Sequence, residues 1–253
     1  MRYPFIKPKY YVSLFNDIIG FIKKPKNEEN LEKSIKFKIY DTIGLFILKL
    51  IFLIPVFLFY GLVYDPENVG LGNASERLTP LLFILVGGII MPFMEEVAFR
   101  LSLKFNPKYF ALTSGVLTFY ILTKLIFNTK MSVIDESFVI RIVTSILIGV
   151  IVYPIVNIER FKEKLAVFWK LNFRSIYYIS CLIFAWIHIT MYEVNLINIL
   201  LLPILTLPQF LDALTLGYIR VSFGFKYPLF FHMSNNLIGI GLYFLPFTDL
   251  ITI

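Results

Sequence analysis

The stretch Thr79–Leu101, TPLLFILVGGIIMPFMEEVAFRL, decides the fold class. It runs uncharged from Thr79 to Met94, then meets two adjacent acids and an arginine. A lipid hydrocarbon core about 30 Å thick is crossed by roughly 20 residues of helix, each rising about 1.5 Å. This run has the length and the apolarity of such a crossing, and its polar end is where the chemistry should sit.

Six further runs share that character, near Ile43 to Val63, Tyr109 to Phe127, Phe138 to Ile158, Ile176 to Tyr192, Leu196 to Ile219 and Pro228 to Leu245. Pro203 and Pro208 interrupt the sixth, which is therefore one kinked helix or two short ones. The expected fold is all-α, a polytopic transmembrane bundle of seven to eight helices enclosing an intramembrane polar cavity. The composition agrees, because 58% of the 253 residues are hydrophobic and 16% charged, too little charge to cover a water-soluble domain. The one cysteine, Cys181, excludes a disulfide framework and a cysteine metal cluster.

Basic residues concentrate on the cytoplasmic side of membrane helices. With these spans, nineteen of the 24 Lys and Arg fall on the side of the N-terminal tail, whereas Arg77 and Lys130 fall on the other. Lys49, Lys124 and Arg141 lie within spans, where long side chains near a helix end snorkel to the interface. The expected location is the cell membrane, multi-pass, with a cytoplasmic N-terminus. The net charge of +7 is a topology signal, and no nucleic-acid partner is expected.

Two regions follow. Residues 1–37 form a cytoplasmic extension, in which Tyr11, Leu14, Phe15, Ile18, Ile19 and Ile22 make one apolar helical stripe before Lys23, Lys24 and Lys26. The stripe suits a helix lying on the inner membrane surface, or equally one packed on the protein's own cytoplasmic face. Residues 38–253 form the transmembrane domain.

An acid or histidine in the hydrocarbon region costs several kcal/mol and marks a functional site by default. On a helix Glu96 and Arg100 are i, i+4 neighbours, while Glu95 is rotated about 100° away and left free to act as a base. A carboxylate beside another acid in a partly dry site suits proton transfer near neutral pH. Phe184 and His188 form a second i, i+4 pair, and His232 and Asn236 a third. Taken singly, the acids read equally as helix caps near the headgroups, His188 as a packing residue, and Asn236 as an interhelical stitch. Jointly, a base, a second base or orienter and oxyanion donors make up the parts list for water-mediated acyl hydrolysis.

At these residues the chain resembles the CAAX proteases and bacteriocin-processing enzymes, a family of intramembrane glutamic endopeptidases. Their signatures Glu-Glu-x-x-x-Arg, Phe-x-x-x-His and His-x-x-x-Asn are matched by Glu95-Glu96 with Arg100, Phe184 with His188, and His232 with Asn236, in order and on separate helices. Leu216-Gly217-Tyr218-Ile219-Arg220 looks like the family's approach to the third motif, and the resemblance covers roughly residues 80 to 245. It implies an endopeptidase in which Glu95 and His188 activate a water, His232 and Asn236 hold the oxyanion, and Glu96 with Arg100 positions Glu95. It implies no cofactor and no metal, and a peptide or membrane-protein substrate met within the lipid bilayer. Leu101 stands where many members have glycine, and Asn235 competes with Asn236 for the cavity-facing place.

Two other readings remain open: a zinc-dependent protease with Glu95, His188 and His232 as ligands, and a transporter, immunity or scaffold protein that uses the buried Glu and His without proteolysis. Helix rise also predicts unequal depths, roughly 13 Å for Glu95, 9 Å for His232 and 21 Å for His188 when counted from Lys104, Lys226 and Arg174, so either the fifth helix begins below the membrane surface or a helix is tilted.

Overall fold

A computed structural model describes residues 4–64 and 66–244, and among these the chain is helical throughout, with no strand. The α-helices are α1 (Pro8–Lys23), α2 (Ile35–Leu62), α3 (Val69–Arg77), α4 (Pro80–Leu85), α5 (Met91–Phe99), α6 (Pro107–Ile121), α7 (Phe138–Asn157), α8 (Glu159–Trp186), α9 (Leu196–Leu200), α10 (Leu202–Leu205), α11 (Leu207–Phe223) and α12 (Lys226–Phe244). Helices α4 and α5 are joined by a π turn, Val86–Ile90, and α5 runs on into a 3-10 turn, Leu101–Leu103.

Five helices among the described residues are long and apolar enough to cross a membrane: Ile35–Leu62, Pro80–Leu103, Pro107–Ile126, Phe138–Asn157 and Glu159–Met191. At most 39% of the apolar window of any of them is buried within the protein, so most of that surface points outward. On α2, for example, Ile51, Phe52, Ile54, Phe57 and Leu58 are exposed. Exposed to water, such surface forfeits about 25 cal/mol per Å² of stabilisation, a penalty that a lipid solvent removes. Helix starts follow local chemistry: Thr79 and Asn106 accept backbone N–H bonds from Leu82 and Lys108, and Pro80 and Pro107 occupy the first turn.

The expected sixth span does not form one helix. It divides at Leu201 and Thr206 into α9, α10 and α11, with Pro203 and Pro208 each at the start of the piece that follows. Helix α11, at 17 residues, and α12, at 19, fall outside the group of five. The fifth span starts earlier than expected, because the charged residues Glu159 to Arg174 continue α8 rather than forming a loop. The far side of that segment is held by Trp169, whose Nε1 donates to Ser102 O at 2.7 Å, and by buried Phe173.

The stripe of α1 packs on the protein itself. Leu14 and Ile18 are buried with Leu45 of α2 and Leu216 and Ile219 of α11, while Val12 stays exposed. The following segment is tied across the same end of the bundle: Asn30 N donates to Ser222 O, and Asn27 Nδ2 to Leu103 O. Glu29 lies 2.7 Å from Lys104 Nζ and 3.3 Å from Lys38 Nζ. The hydrogen bond from Lys104, with help from Lys38, holds the Glu29 carboxyl below the usual carboxylate range.

Close approach of α6 to α7 depends on glycine, because a Cβ on Gly115 would sit 2.9 Å from the backbone oxygen of Ser145. An apolar groove of about 970 Å³ lies beside this crossing, lined in part by Met91, Met94, Phe119 and Ile142.

Three charged residues differ from their expected settings. Lys49 and Arg141 do not snorkel, being only 5% and 0% exposed, and Arg220 is 3% exposed rather than a loop cation. Each has found partners inside the protein, the lower-energy alternative to reaching for the interface. Arg141 donates to Thr123, Val133 O and Asp135.

Candidate active site

The site is built on a defect in a helix. Pro92 has no N–H, so a carbonyl one turn earlier must lose its partner. The π turn redistributes the bonds: the N–H of Met91 reaches back to Val86 O, which leaves Gly87 O with neither Met91 nor Pro92 to donate to it. Asn236 of α12 fills that vacancy, its Nδ2 donating to Gly87 O at 3.0 Å. Beside it the side chain of Leu237 packs into the space that Gly88 leaves open, where an added Cβ would stand 2.4 Å from Leu237 Cδ2.

One turn beyond Pro92, α5 presents Glu95 and Glu96, both buried, the latter completely. His232 of α12 lies between them. Its Nδ1–H donates to Glu96 Oε1 at 2.8 Å, and its Nε2 is 3.4 Å from Glu95 Oε2. Two acceptors cannot face one another favourably, so the contact between Glu95 and Nε2 calls for a proton, carried by one or the other. Arg100 Nη1 stands 3.6 Å from Glu96 Oε1, ion-pair distance but beyond hydrogen-bond reach. The expected i, i+4 pairing of Glu96 and Arg100 is thus present, and Glu95 is the acid left outside it.

Phe184 of α8 is the hub on the opposite wall. The Arg100 guanidinium lies 3.7 Å from the centroid of its ring, His188 lies tilted against it at 4.8 Å and His232 meets it edge-on at 5.9 Å. His188 sits just past α8 in the 3-10 turn Ile187–Met191, and its Nδ1 lies 2.6 Å from Phe184 O. A carbonyl oxygen only accepts, so Nδ1 carries the hydrogen and, in the neutral ring, Nε2 keeps the lone pair of a base. The unequal depths expected for these residues do not keep them apart, because α8 extends continuously from Glu159 and delivers His188 from its far end.

All seven singled-out residues therefore gather: Glu95, Glu96, Arg100, His188 and His232 around Phe184, and Asn236 one turn along α12 from His232, seated on the π turn. Asn235 is taken up elsewhere. Its Oδ1 accepts from Lys49 Nζ at 2.6 Å, and Lys49 also pairs with Asp212 at 2.9 Å, a buried network joining α2, α11 and α12. Asn236, not Asn235, is the amide that bonds to the span carrying the acid pair, at Gly87 O.

Two residues of this neighbourhood escaped sequence reasoning. Arg220 donates from Nε to Arg100 O at 3.1 Å and from Nη2 to Leu101 O at 2.9 Å, closing the open carbonyls at the end of α5. Its basic charge near a helix end pointed to a membrane boundary instead. Tyr120 of α6 packs edge-on to Phe99 at 6.2 Å, and nothing in an aromatic within an apolar run separates it from lipid-facing neighbours. Among the described residues no three His, Cys, Asp or Glu side chains are grouped as metal ligands.

No protein-family model matches the chain, no curated protein matches it, and no solved structure matches it.

Proposed function

We propose that the protein is an intramembrane endopeptidase that hydrolyses a peptide bond with a water activated by Glu95 and His188. The observation that carries the reading is the gathering of a buried acid pair, two histidines and an arginine inside an apolar bundle. Burying charges this deeply is rarely the best route to stability, so a chemical use is the stronger account. The three ordered motifs that resemble the glutamic endopeptidase family point the same way.

In this reading the water oxygen attacks the peptide carbonyl carbon as one water proton passes to Glu95. The carbonyl π pair moves onto oxygen, where His232 and the second amide hydrogen of Asn236 meet the developing charge. His188, its Nδ1–H fixed on Phe184 O, turns its lone-pair nitrogen toward the water and steadies it. Collapse of the tetrahedral intermediate breaks the C–N bond, and the proton held by Glu95 passes to the leaving amine. Glu96, held by His232 and Arg100, keeps the imidazole and the Glu95 backbone in register. No cofactor enters this scheme.

The same reading has α11 and α12 complete a bundle of seven to eight crossings around a water-accessible polar cavity. The N-terminus is cytoplasmic, as nineteen of 24 basic residues on one side imply. The apolar groove beside Met94, the residue before Glu95, suits approach of an apolar peptide segment from the bilayer.

The test is a comparison of protein termini in membranes that carry the wild-type chain or Glu95→Gln at equal abundance. Termini present only with the wild-type chain are expected. If Glu95→Gln yields the same termini, or still supports the cellular role, that role is not proteolysis by this site.

A further inference from the structure

Helix α12 carries two i, i+4 pairs, one residue out of phase. His232 and Asn236 meet Glu96 and Gly87 O, whereas Phe231 and Asn235, each the residue immediately before one of them, meet Lys49 of α2. Asn235 Oδ1 accepts from Lys49 Nζ at 2.6 Å, and the centroid of the Phe231 ring lies 5.4 Å from the same nitrogen. Asp212 of α11 holds that ammonium at 2.9 Å and the Phe46 ring lies 5.1 Å from it, so Lys49 is itself fixed in aim.

A cation only 5% exposed inside an apolar bundle is a poor choice for stability alone, because well-packed apolar residues serve as well or better. What an apolar contact does not supply is direction. Dispersion and hydrophobic burial are indifferent to angle, whereas a hydrogen bond weakens steeply when its geometry turns.

We propose that Lys49 is a positioning residue, which sets the rotation of α12 and thereby aims His232 and Asn236 at the reacting carbonyl. This rests on the endopeptidase reading of the same site. Lys49 touches no reacting atom and exchanges no proton; it acts through the backbone of α12. His232 and Asn236 give α12 directional contacts toward the span of the acid pair, and Lys49 adds a stop about 100° around the axis from them. A side-chain tip stands about 6 Å from a helix axis, so a rotation of about 10° displaces it by roughly 1 Å. A misplacement of that size, made by a change away from the chemistry, lowers a rate about 100-fold.

The experiment separates aim from stability. Wild-type-specific termini are followed over time in cells producing wild-type, Lys49→Met with Asp212→Leu, Asn235→Leu or Glu95→Gln protein, and folded protein is measured for each purified chain by SDS unfolding in mixed micelles. The Lys49–Asp212 double variant strands no charge, so it should unfold close to wild type and yet release the same termini about 100-fold more slowly. Asn235→Leu keeps the Lys49–Asp212 pair and removes only the leg to α12, and it should be slowed as well. A network that merely holds the helices together predicts that rate recovers with stability. Wild-type rates from either variant, or a loss no larger than the fall in folded protein, with Glu95→Gln silent, would overturn the role of Lys49 and leave the endopeptidase reading standing. Indistinguishable termini from wild type and Glu95→Gln would overturn both.

Discussion

Replacement of Lys49 by methionine isolates a buried electrostatic commitment outside the candidate site. Lys49 is buried in the middle of α2, 2.9 Å from Asp212 and 2.6 Å from Asn235, with Phe46 and Phe231 flanking its ammonium at 5.1 and 5.4 Å. Methionine retains most of the stem and its packing between the two rings, so the change mainly removes charge. Asp212 then keeps only Asn235 Nδ2, at 3.4 Å, as a hydrogen-bond partner. Breaking one side of a buried pair costs about 3–5 kcal/mol. The Asp212 side chain is 13% exposed, so water offers some relief and the lower end, about 3 kcal/mol, is expected. That equals about a 100-fold change in the folding equilibrium. The assay is reversible SDS unfolding of the purified protein in mixed micelles. The double variant Lys49→Met with Asp212→Leu should regain most of the loss, because no charge is then stranded. A single-variant cost under about 1 kcal/mol, or a double variant no more stable than the single one, would refute this account.

Two smaller predictions concern the segment after α1 and the helix crossing. Glu29 has its carboxyl pKa depressed by Lys104 and Lys38, so its contribution is complete above the ordinary carboxylate range and fades as pH falls toward the folded value. Glu29→Gln should therefore lower the melting temperature near pH 7 and converge with wild type toward pH 3; a gap that is constant with pH would contradict the ion-pair origin. Gly115→Ala places a carbon 2.9 Å from Ser145 O, forcing α6 from α7 at a cost of about 1–3 kcal/mol. Gly61→Ala, with nothing within 4 Å of the added carbon, is the control, and equal melting temperatures for the two variants would remove the case for a glycine-dependent crossing.

Sequence reading was most successful where the signal is local. Hydropathy located the long helices, and the i, i+4 spacing of Glu96 and Arg100 became an observed ion pair at 3.6 Å. Pro203 and Pro208 marked the sixth apolar run as one kinked helix or two short ones, and it forms three pieces. The early start of α8 was signalled only by the depth of His188, because the charges of Glu159 to Arg174 imitate a loop, although a helix tolerates them readily when Phe173 and Trp169 face the protein. Partners far apart in sequence were illegible for a different reason. Lys49 meets Asn235 across 186 positions and Arg220 meets Arg100 across 120, and such pairings exist only once the bundle has chosen its neighbours. The π turn was hidden too, since a lone proline within an apolar run predicts a kink but not which carbonyl goes unpaired.

That turn also sets the angular phase of the span. Nine residues at about 100° each would place Gly87 and Glu96 half a turn out of alignment, on opposite sides of a regular helix. A π turn absorbs one residue, which brings the angle between them to about 80°. Both then address one stripe of α12, where Asn236 takes the first and His232 the second. The acid pair owes its heading to a single surplus residue upstream, much as the hands of a clock owe theirs to one tooth of the gear behind the dial.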